Sequence, residues 1–349
     1  MPELTAPPFD PELHAALGLI AEVIKPTLTP DMIPLMREMP ADPTLDDQVA
    51  AVGAVHEERT IAGYDGGEIV LSIYRRPGQT TTGPGIYHIH GGGMVIGNRF
   101  MGVQAFLPYI ASHDAVVVSV EYRLAPEFPD PVPVEDCYAG LVWTAEHADE
   151  LGIDPTRLIV GGASAGGGLS AGVTLLARDR QGPPLRASLL IYPMLDDRNE
   201  SVSALQIQGI GVWDRTSNFT GWNALLGDRR GTDDVSIYAA PGRPDARRVR
   251  DVLVPEHLGA ADVDEGGWQI REVFGAAGSG VDRHVVGAAA VAEQGVPAGE
   301  VARAVPHADA LDLQRRHRLV AVVEHRVDEQ RGPQGRALAV AGEQRHAGR

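Results

Sequence analysis

One serine in this chain stands where its hydroxyl could act as a nucleophile. Gly162-Ala163-Ser164-Ala165-Gly166 follows the apolar stretch RLIVGG (157–162) and opens the small-residue stretch ASAGGGLSAGVTLLARDR (163–180). A G-x-S-x-G between a strand and a helix permits a sharp turn that lifts the hydroxyl clear of the sheet. The N-terminus of the following helix offers unpaired N–H groups to a developing oxyanion. The plain alternative is a structural Ser-Gly turn. A second element, His90-Gly91-Gly92-Gly93, closes the stretch GIYHIH (85–90). Consecutive glycines let a backbone aim its N–H groups at a ligand, which is the second half of an oxyanion hole for acyl transfer. Here the alternatives are a glycine-rich turn, or a phosphate loop without its lysine. His90 itself reads as a brace for that loop and not as a catalytic base.

The elements that must position these groups follow from the hydrophobic pattern. EIVLSIYRR (68–76), GIYHIHGG (85–92), AVVVSVEYR (115–123), RLIVGG (157–162) and RASLLIYPML (186–195) read as strands. Helices are expected over 103–113, 133–152 and 163–180, the second with a proline near its start and a glycine at its end. Strands alternating with helices imply an α/β fold, a mostly parallel sheet with helices on both faces. Residues 1–55 are proline-rich and helical in pattern, LHAALGLIAEVI (13–24) being the clearest amphipathic stretch. Residues 199–226 break the rhythm and read as an insertion. With 1–55 they would form a helical cap over a core of residues 56–244.

Composition narrows the function. The 349 residues are enough for a sizeable core, and 44% hydrophobic with 22% charged residues is ordinary for a globular chain. No apolar run approaches 18 residues, so no membrane span is expected. The acidic, proline-rich start MPELTAPPFDPELH has no basic region leading into an apolar one, so no signal peptide is read and a cytoplasmic location is expected. Cys137 is the single cysteine, which excludes a disulfide framework and a cysteine-built metal site. A net charge of −17 argues against a protein that tracks nucleic-acid phosphates. A small-molecule substrate, with no metal and no cofactor, fits these limits. Nothing in the pattern fixes an oligomeric state.

Four ordered motifs, HGGGM (90–94), YRLAPE (122–127), GGASAGG (161–167) and YPMLDD (192–197), resemble the hormone-sensitive-lipase-like branch of the α/β-hydrolases. The resemblance runs from about residue 55 to 243. It implies the α/β-hydrolase fold and a carboxylesterase acting on short acyl esters. It also implies Ser164 as nucleophile and the N–H groups of Gly91, Gly92 and Ala165 as oxyanion hole. Many relatives carry Asp where this chain has Ala163, a departure that leaves the nucleophile intact. Arg123 and Glu127 are expected to form a structural ion pair. Asp196 and Asp197 could be active-site carboxylates, with loop bracing the favoured role. The cap would set acyl and alcohol preference, its size favouring small, water-soluble esters. The family's acid lies in a D/E-x-x-R-D-E segment and its His in a Gly-x-x-His-Gly-Phe-like one. Neither pattern follows Ser164, so no triad acid or His is assigned in this sequence.

The reason lies in the tail. Residues 245–349 contain no Lys, Tyr, Met, Asn, Thr or Cys, and only one Ser and one Ile. Set residue 275 opposite residue 244 and continue to residue 349 opposite residue 170. Every pair then has codons that can be reverse complements. Trp222 (TGG) stands opposite Pro297 (CCA), Phe219 (TTC) opposite Glu300 (GAA), and Met194 (ATG) opposite His325 (CAT). Residues 275–349 therefore read as residues 170–244 translated from the other strand. Residues 245–274 decode by the same rule, one permitted reading backwards from Phe274 being EDLPDLPPTFVDVGGAEVFRDEDVAYA, in which EVFRDE resembles the family's acid segment. The codon opposite Leu258 would specify that Glu. The His-bearing segment is absent in either sense. His284, His307, His317 and His346 stand opposite valines, so none is expected to be catalytic or a metal ligand. Runs such as Arg315-Arg316-His317-Arg318 are by-products of the reversal. On this reading residues 245–349 are a non-native tail, the last native strands are missing, and the sheet is left with an open apolar edge. The competing reading of the written chain is a hydrolase fold without turnover, or a chain that does not fold. A ligand-binding receptor on this fold is also conceivable, but intact HGGG and G-x-S-x-G elements argue against selection for binding alone.

Overall fold

A computed structural model describes residues 6–20, 24–40, 42–243 and the backbone of a strand at 320–324. Seven strands form one sheet in the order β1-β2-β4-β3-β5-β6-β7. They are β1 (Val55–Ala62), β2 (Glu68–Arg75), β3 (Gly83–Ile89), β4 (Val116–Glu121), β5 (Ile153–Ala163), β6 (Ala187–Ile191) and β7 (Val320–Glu324). The central strands β4, β3, β5 and β6 pair in parallel. β2 runs antiparallel between β1 and β4, so five of the seven strands share one direction. This is the α/β fold with a mostly parallel sheet that the hydrophobic pattern implies. Strands covered on both faces read as continuous apolar runs. Accordingly all of β3, and Val116 to Val120 of β4, are buried.

Nine helices are described: α1 (Pro11–Ile20), α2 (Ile33–Arg37), α3 (Leu45–Ala51), α4 (Leu107–His113), α5 (Val132–Glu146), α6 (Ala148–Leu151), α7 (Ala165–Asp179), α8 (Val202–Gln206) and α9 (Arg215–Leu226). The apolar core divides between the two faces of the sheet. One cluster joins Leu71, Tyr87, Val118 and Val160 to Leu141 of α5 and Leu169 of α7. The other joins Tyr74, Ile86 and Val117 to Leu107 and Ile110 of α4. In α7 every residue from Ala165 to Ala177 is buried, so this helix is packed all round and not only along one stripe.

Four expectations are corrected. The stretch 133–152 is two helices, broken at His147, whose ring stacks on Trp143 and whose Nδ1 donates to the Trp143 carbonyl at 2.8 Å. A strand over 55–62 was not read from the sequence. β1 is an edge strand with no buried residue, so its alternation is shallow. The open sheet edge beyond β6 is instead paired by β7, antiparallel, from Ala187 opposite Glu324 to Ile191 opposite Val320. An unpaired row of N–H and C=O groups is a template for any extended segment, and the β-branched run VAVVE supplies one.

The fourth correction concerns YRLAPE. Arg123 does not pair with Glu127. It forms a fork on the buried carboxylate of Asp136 in α5, with Nε at 2.8 Å from Oδ2 and Nη2 at 2.8 Å from Oδ1. Asp136 also accepts the N–H groups of Tyr64 and Arg123. Glu127 turns to Arg37 of α2, both of whose terminal nitrogens lie 2.9 Å from its oxygens. A buried carboxylate with four donors is fully satisfied, and removing it strands the guanidinium. Asp136→Ala is expected to cost about 3–5 kcal/mol, read by urea unfolding. A cost below about 1 kcal/mol would show that water replaces the carboxylate freely.

Candidate active site

Ser164 sits at the junction of β5 and α7 with φ 58° and ψ −121°, a conformation that L-residues hold only when their surroundings fix it. Those surroundings are backbone. Ser164 N donates to Ile191 O at 2.9 Å, and Ser164 O accepts from Met194 N at 2.9 Å and from Gly168 N at 3.1 Å. The turn is thereby clamped to the end of β6. The two glycines of the motif are there because backbone approaches too closely for a side chain. A Cβ on Gly162 would lie 2.2 Å from Ile89 O, and one on Gly166 only 2.0 Å from the same atom. The Ser164 side chain makes no capping hydrogen bond to α7. It forms part of the wall of a cavity of about 620 Å3.

The His90–Gly93 loop lies against this turn. A Cβ on Gly91 would be 3.6 Å from Ser164 Cβ and 2.9 Å from Ala163 O. Gly92 takes φ 97°, lines the same cavity, and accepts the N–H groups of Val95 and Ile96. Ala165 is buried as the first residue of α7. Ser164 and Gly92 line the cavity, and Gly91 and Ala165 adjoin Ser164.

His90 is fully buried, stacked on Tyr122 with centroids 4.2 Å apart. Its Nδ1 donates to the Gly91 carbonyl at 2.8 Å, and its Nε2 has no partner. Burial drives its pKa down to about 4 against the opposing pull of the Gly91 carbonyl. The placement is that of a neutral ring bracing the loop.

The far end of the loop is pinned by Arg99, which the sequence reading passed over. Glu58, Ser72, Ser119 and His88 lie in register across β1, β2, β4 and β3. Arg99 spans this row: its Nε donates to Ser72 Oγ at 2.9 Å, its Nη1 to Glu121 at 3.0 Å and its Nη2 to Glu58 at 2.5 Å. Ser119 Oγ donates to the Arg99 carbonyl at 2.6 Å and accepts from His88 Nδ1 at 2.9 Å. Burial lowers the His88 pKa to about 3.

His88 and His90 make folding pH-dependent in a defined window. Both have folded-state pKa values below the ordinary 6.5, so the unfolded chain binds the extra protons. Their contribution is complete above about pH 6.5 and is lost as pH falls through 4 toward 3. Between pH 6 and 5, unfolding should take up nearly two protons, a slope of about 2 to 3 kcal/mol per pH unit. Urea unfolding across that range checks this, and a flat profile would contradict it.

Asp196 and Asp197 part company. Asp196 lines the cavity and is held by Arg198, whose Nε and Nη2 lie 2.9 and 2.6 Å from its oxygens. Asp197 is wholly buried and receives Arg243 through two bonds of 2.7 Å, with Gly231 N at 2.6 Å. Burial pushes its pKa up, but the Arg243 fork and the Gly231 N–H outweigh that and hold it below the usual value. Asp197 is a brace between the β6 loop and the segment near residue 243.

The histidines of the described residues do not serve Ser164. His56 bonds Ser72, His88 bonds Ser119, His90 the Gly91 carbonyl, His113 Ser112, and His147 the Trp143 carbonyl. His14 lies on α1, none of whose residues is buried. His257, His284, His307, His317, His325 and His346 lie outside the described residues, as does Leu258. Among the described residues no group of His, Cys, Asp and Glu could hold a metal ion, and no helix is long and apolar enough to cross a membrane.

Two separated stretches roof the cavity. Asp214 caps α9 and accepts Thr27 Oγ1 at 2.7 Å. Ser217 Oγ donates to Pro26 O and accepts from Leu28 N, and Thr220 Oγ1 donates to Leu28 O. Gly221 of α9 packs on the His90–Gly93 loop so closely that a Cβ there would lie 2.5 Å from Gly93 O.

A family model described as alpha/beta hydrolase fold matches residues 86–281. Carboxylesterase NlhH of Mycobacterium tuberculosis is 46% identical over 142 residues, 39% of this chain and 43% of that protein. Esterase LipI of the same species is 32% identical over 286 residues, covering 74% of this chain and 86% of LipI. Among solved structures a bacterial heroin esterase superposes with a TM-score of 0.59 at 37% identity, over 67% of this chain and 74% of that one.

Proposed function

The chain belongs to the alpha/beta hydrolase fold family, and from that premise we propose that it is built to hydrolyse carboxylic esters of short acyl groups through an acyl-enzyme on Ser164. The observation that carries the reading is the Ser164 turn: a backbone-clamped residue at φ 58° and ψ −121° that lines the cavity, with Gly91 beside it. Attack by Ser164 Oγ on the ester carbonyl places negative charge on the carbonyl oxygen. The N–H groups of Gly91, Gly92 and Ala165 receive that charge, fixed in advance by the glycine loop and the start of α7. The alcohol leaves, and water then releases the acid. This chemistry calls for no metal and no cofactor. The names of NlhH as a carboxylesterase and of LipI as an esterase support the assignment.

The proton of Ser164 needs a base, and the base needs an orienting acid. We assign both to the sense continuation of the gene beyond residue 244, of which residues 245–274 carry the acid segment in reverse complement and the His segment is absent. The chain as written is then a hydrolase fold with a nucleophile and an oxyanion hole but little turnover. The hydrogen bonds of the described histidines, made to partners other than Ser164, favour this second half of the reading.

Incubation with p-nitrophenyl acetate followed by peptide mass mapping tests the nucleophile in the written chain. The expected result is one slowly accumulating acetyl group on Ser164 that is absent from Ser164→Ala. Acetylation confined to Lys25 and the N-terminal amine, and unchanged by that substitution, would overturn it.

A further inference from the structure

The cavity in front of Ser164, at about 620 Å3, has room for about twenty waters and lies within the range of pockets that enclose drug-sized ligands. A short acyl group joined to a small alcohol fills a minor part of it. Its wall includes Met32, Met36, Met101, Met194, Trp213 and Trp222, four of the seven methionines and two of the four tryptophans in the chain. Methionine adapts to irregular apolar shapes, and tryptophan gives a flat apolar face to an aryl group.

Several polar side chains in the wall are engaged with protein groups. Trp213 Nε1 donates to Asn218 Oδ1 at 2.7 Å, Asn218 Nδ2 to Asn199 Oδ1 at 3.1 Å, and Asn199 Nδ2 to Arg215 O at 3.2 Å. Thr27 is bonded to Asp214, Asp196 is held by Arg198, and Lys25 at the exposed rim is also engaged. The Asp196 carboxylate in the wall, within a chain of net charge −17, opposes an anionic ligand.

We infer that the site takes uncharged esters in which the short acyl group is joined to a bulky, apolar, preferably aryl-bearing alcohol. The inference rests on the reading of Ser164 as the ester-attacking residue, but the binding it describes does not need the attack to occur. Selectivity then comes from water displaced off the methionine and tryptophan wall and not from added hydrogen bonds.

Tryptophan fluorescence of the full 349-residue Ser164→Ala chain, titrated with three probes, tests it. 2-Phenylethyl butanoate should give a saturable change with a Kd at least tenfold below those of ethyl acetate and of 4-phenylbutanoate, its anionic counterpart in size. The change should shrink in Trp213→Phe or Trp222→Phe. Met36→Glu should weaken binding at least tenfold, with Met36→Gln as the milder variant should the charge unfold the chain. A non-saturable response, or equal Kd values for the three probes, would overturn the inference. Loss of acetylation at Ser164 with this selectivity intact would overturn the nucleophile reading alone. Acetylation without the selectivity would overturn the inference alone.

Discussion

A chain whose codons run on past residue 244 in the sense direction is expected to hydrolyse p-nitrophenyl acetate with a kcat/KM about 10⁴- to 10⁶-fold above that of the 349-residue chain. The serine hydroxyl is a poor nucleophile until a base takes its proton. Among the described residues the histidine hydrogen bonds go to partners other than Ser164. Preorganised N–H groups and a binding cavity remain, and in triad enzymes these alone retain about 10³- to 10⁴-fold over water. The written chain should therefore be measurably, but only slightly, better than buffer. The comparison needs both chains at equal folded concentration, checked by far-UV circular dichroism. Rates within tenfold of one another would mean that residues 1–349 already contain the base.

Gly166→Ala is expected to destabilise the fold by about 3 kcal/mol or more. The added Cβ would stand 2.0 Å from Ile89 O and 2.7 Å from His90 O. Both obstacles are main-chain atoms at the end of β3, where strands pair on either side, so neither can swing aside as a side-chain tip could. Relief requires α7 to back away from β3, carrying Ser164 and the Ala165 N–H with it. Hydrolysis by the sense-continued chain should therefore fall together with stability. Gly18→Ala is the contrast: nothing lies within 4 Å of a Cβ there, and alanine in an exposed helix should be neutral or stabilising by up to about 1 kcal/mol. Urea unfolding of the two variants reads the difference. A Gly166→Ala chain within about 1 kcal/mol of its parent would show that the β3–α7 approach is softer than the geometry implies.

What could be read from the sequence was local. Ser164 and its glycines, and His90 to Gly93, are contiguous motifs whose spacing states their backbone requirement, and the structure brings them together. The buried strands announced themselves because both faces are covered, so Val116 to Val120 read as one apolar run. β1 did not, because an edge strand with one face in solvent needs only a weak alternation. Ion-pair partners were misassigned because they are chosen by three-dimensional neighbourhood. Arg123 is four residues from Glu127, yet it bonds Asp136 across the start of α5, while Glu127 reaches Arg37 ninety positions away. One signal was available: Asp136 is a carboxylate in the apolar stretch 133–152, and a buried carboxylate demands a cation. The role of Arg99 had no such signal, because its partners are spread over three strands and meet only when the sheet forms. The size of the cavity was equally hidden, since it depends on how residues 26–28 lace onto α9.

The most direct test of Ser164 as the nucleophile is the kcat/KM for p-nitrophenyl acetate of the sense-continued chain, with and without Ser164→Ala. The substitution should lower it about 10⁶-fold, through kcat and with little change in KM. Hydrolysis that survives Ser164→Ala within tenfold would contradict the assignment.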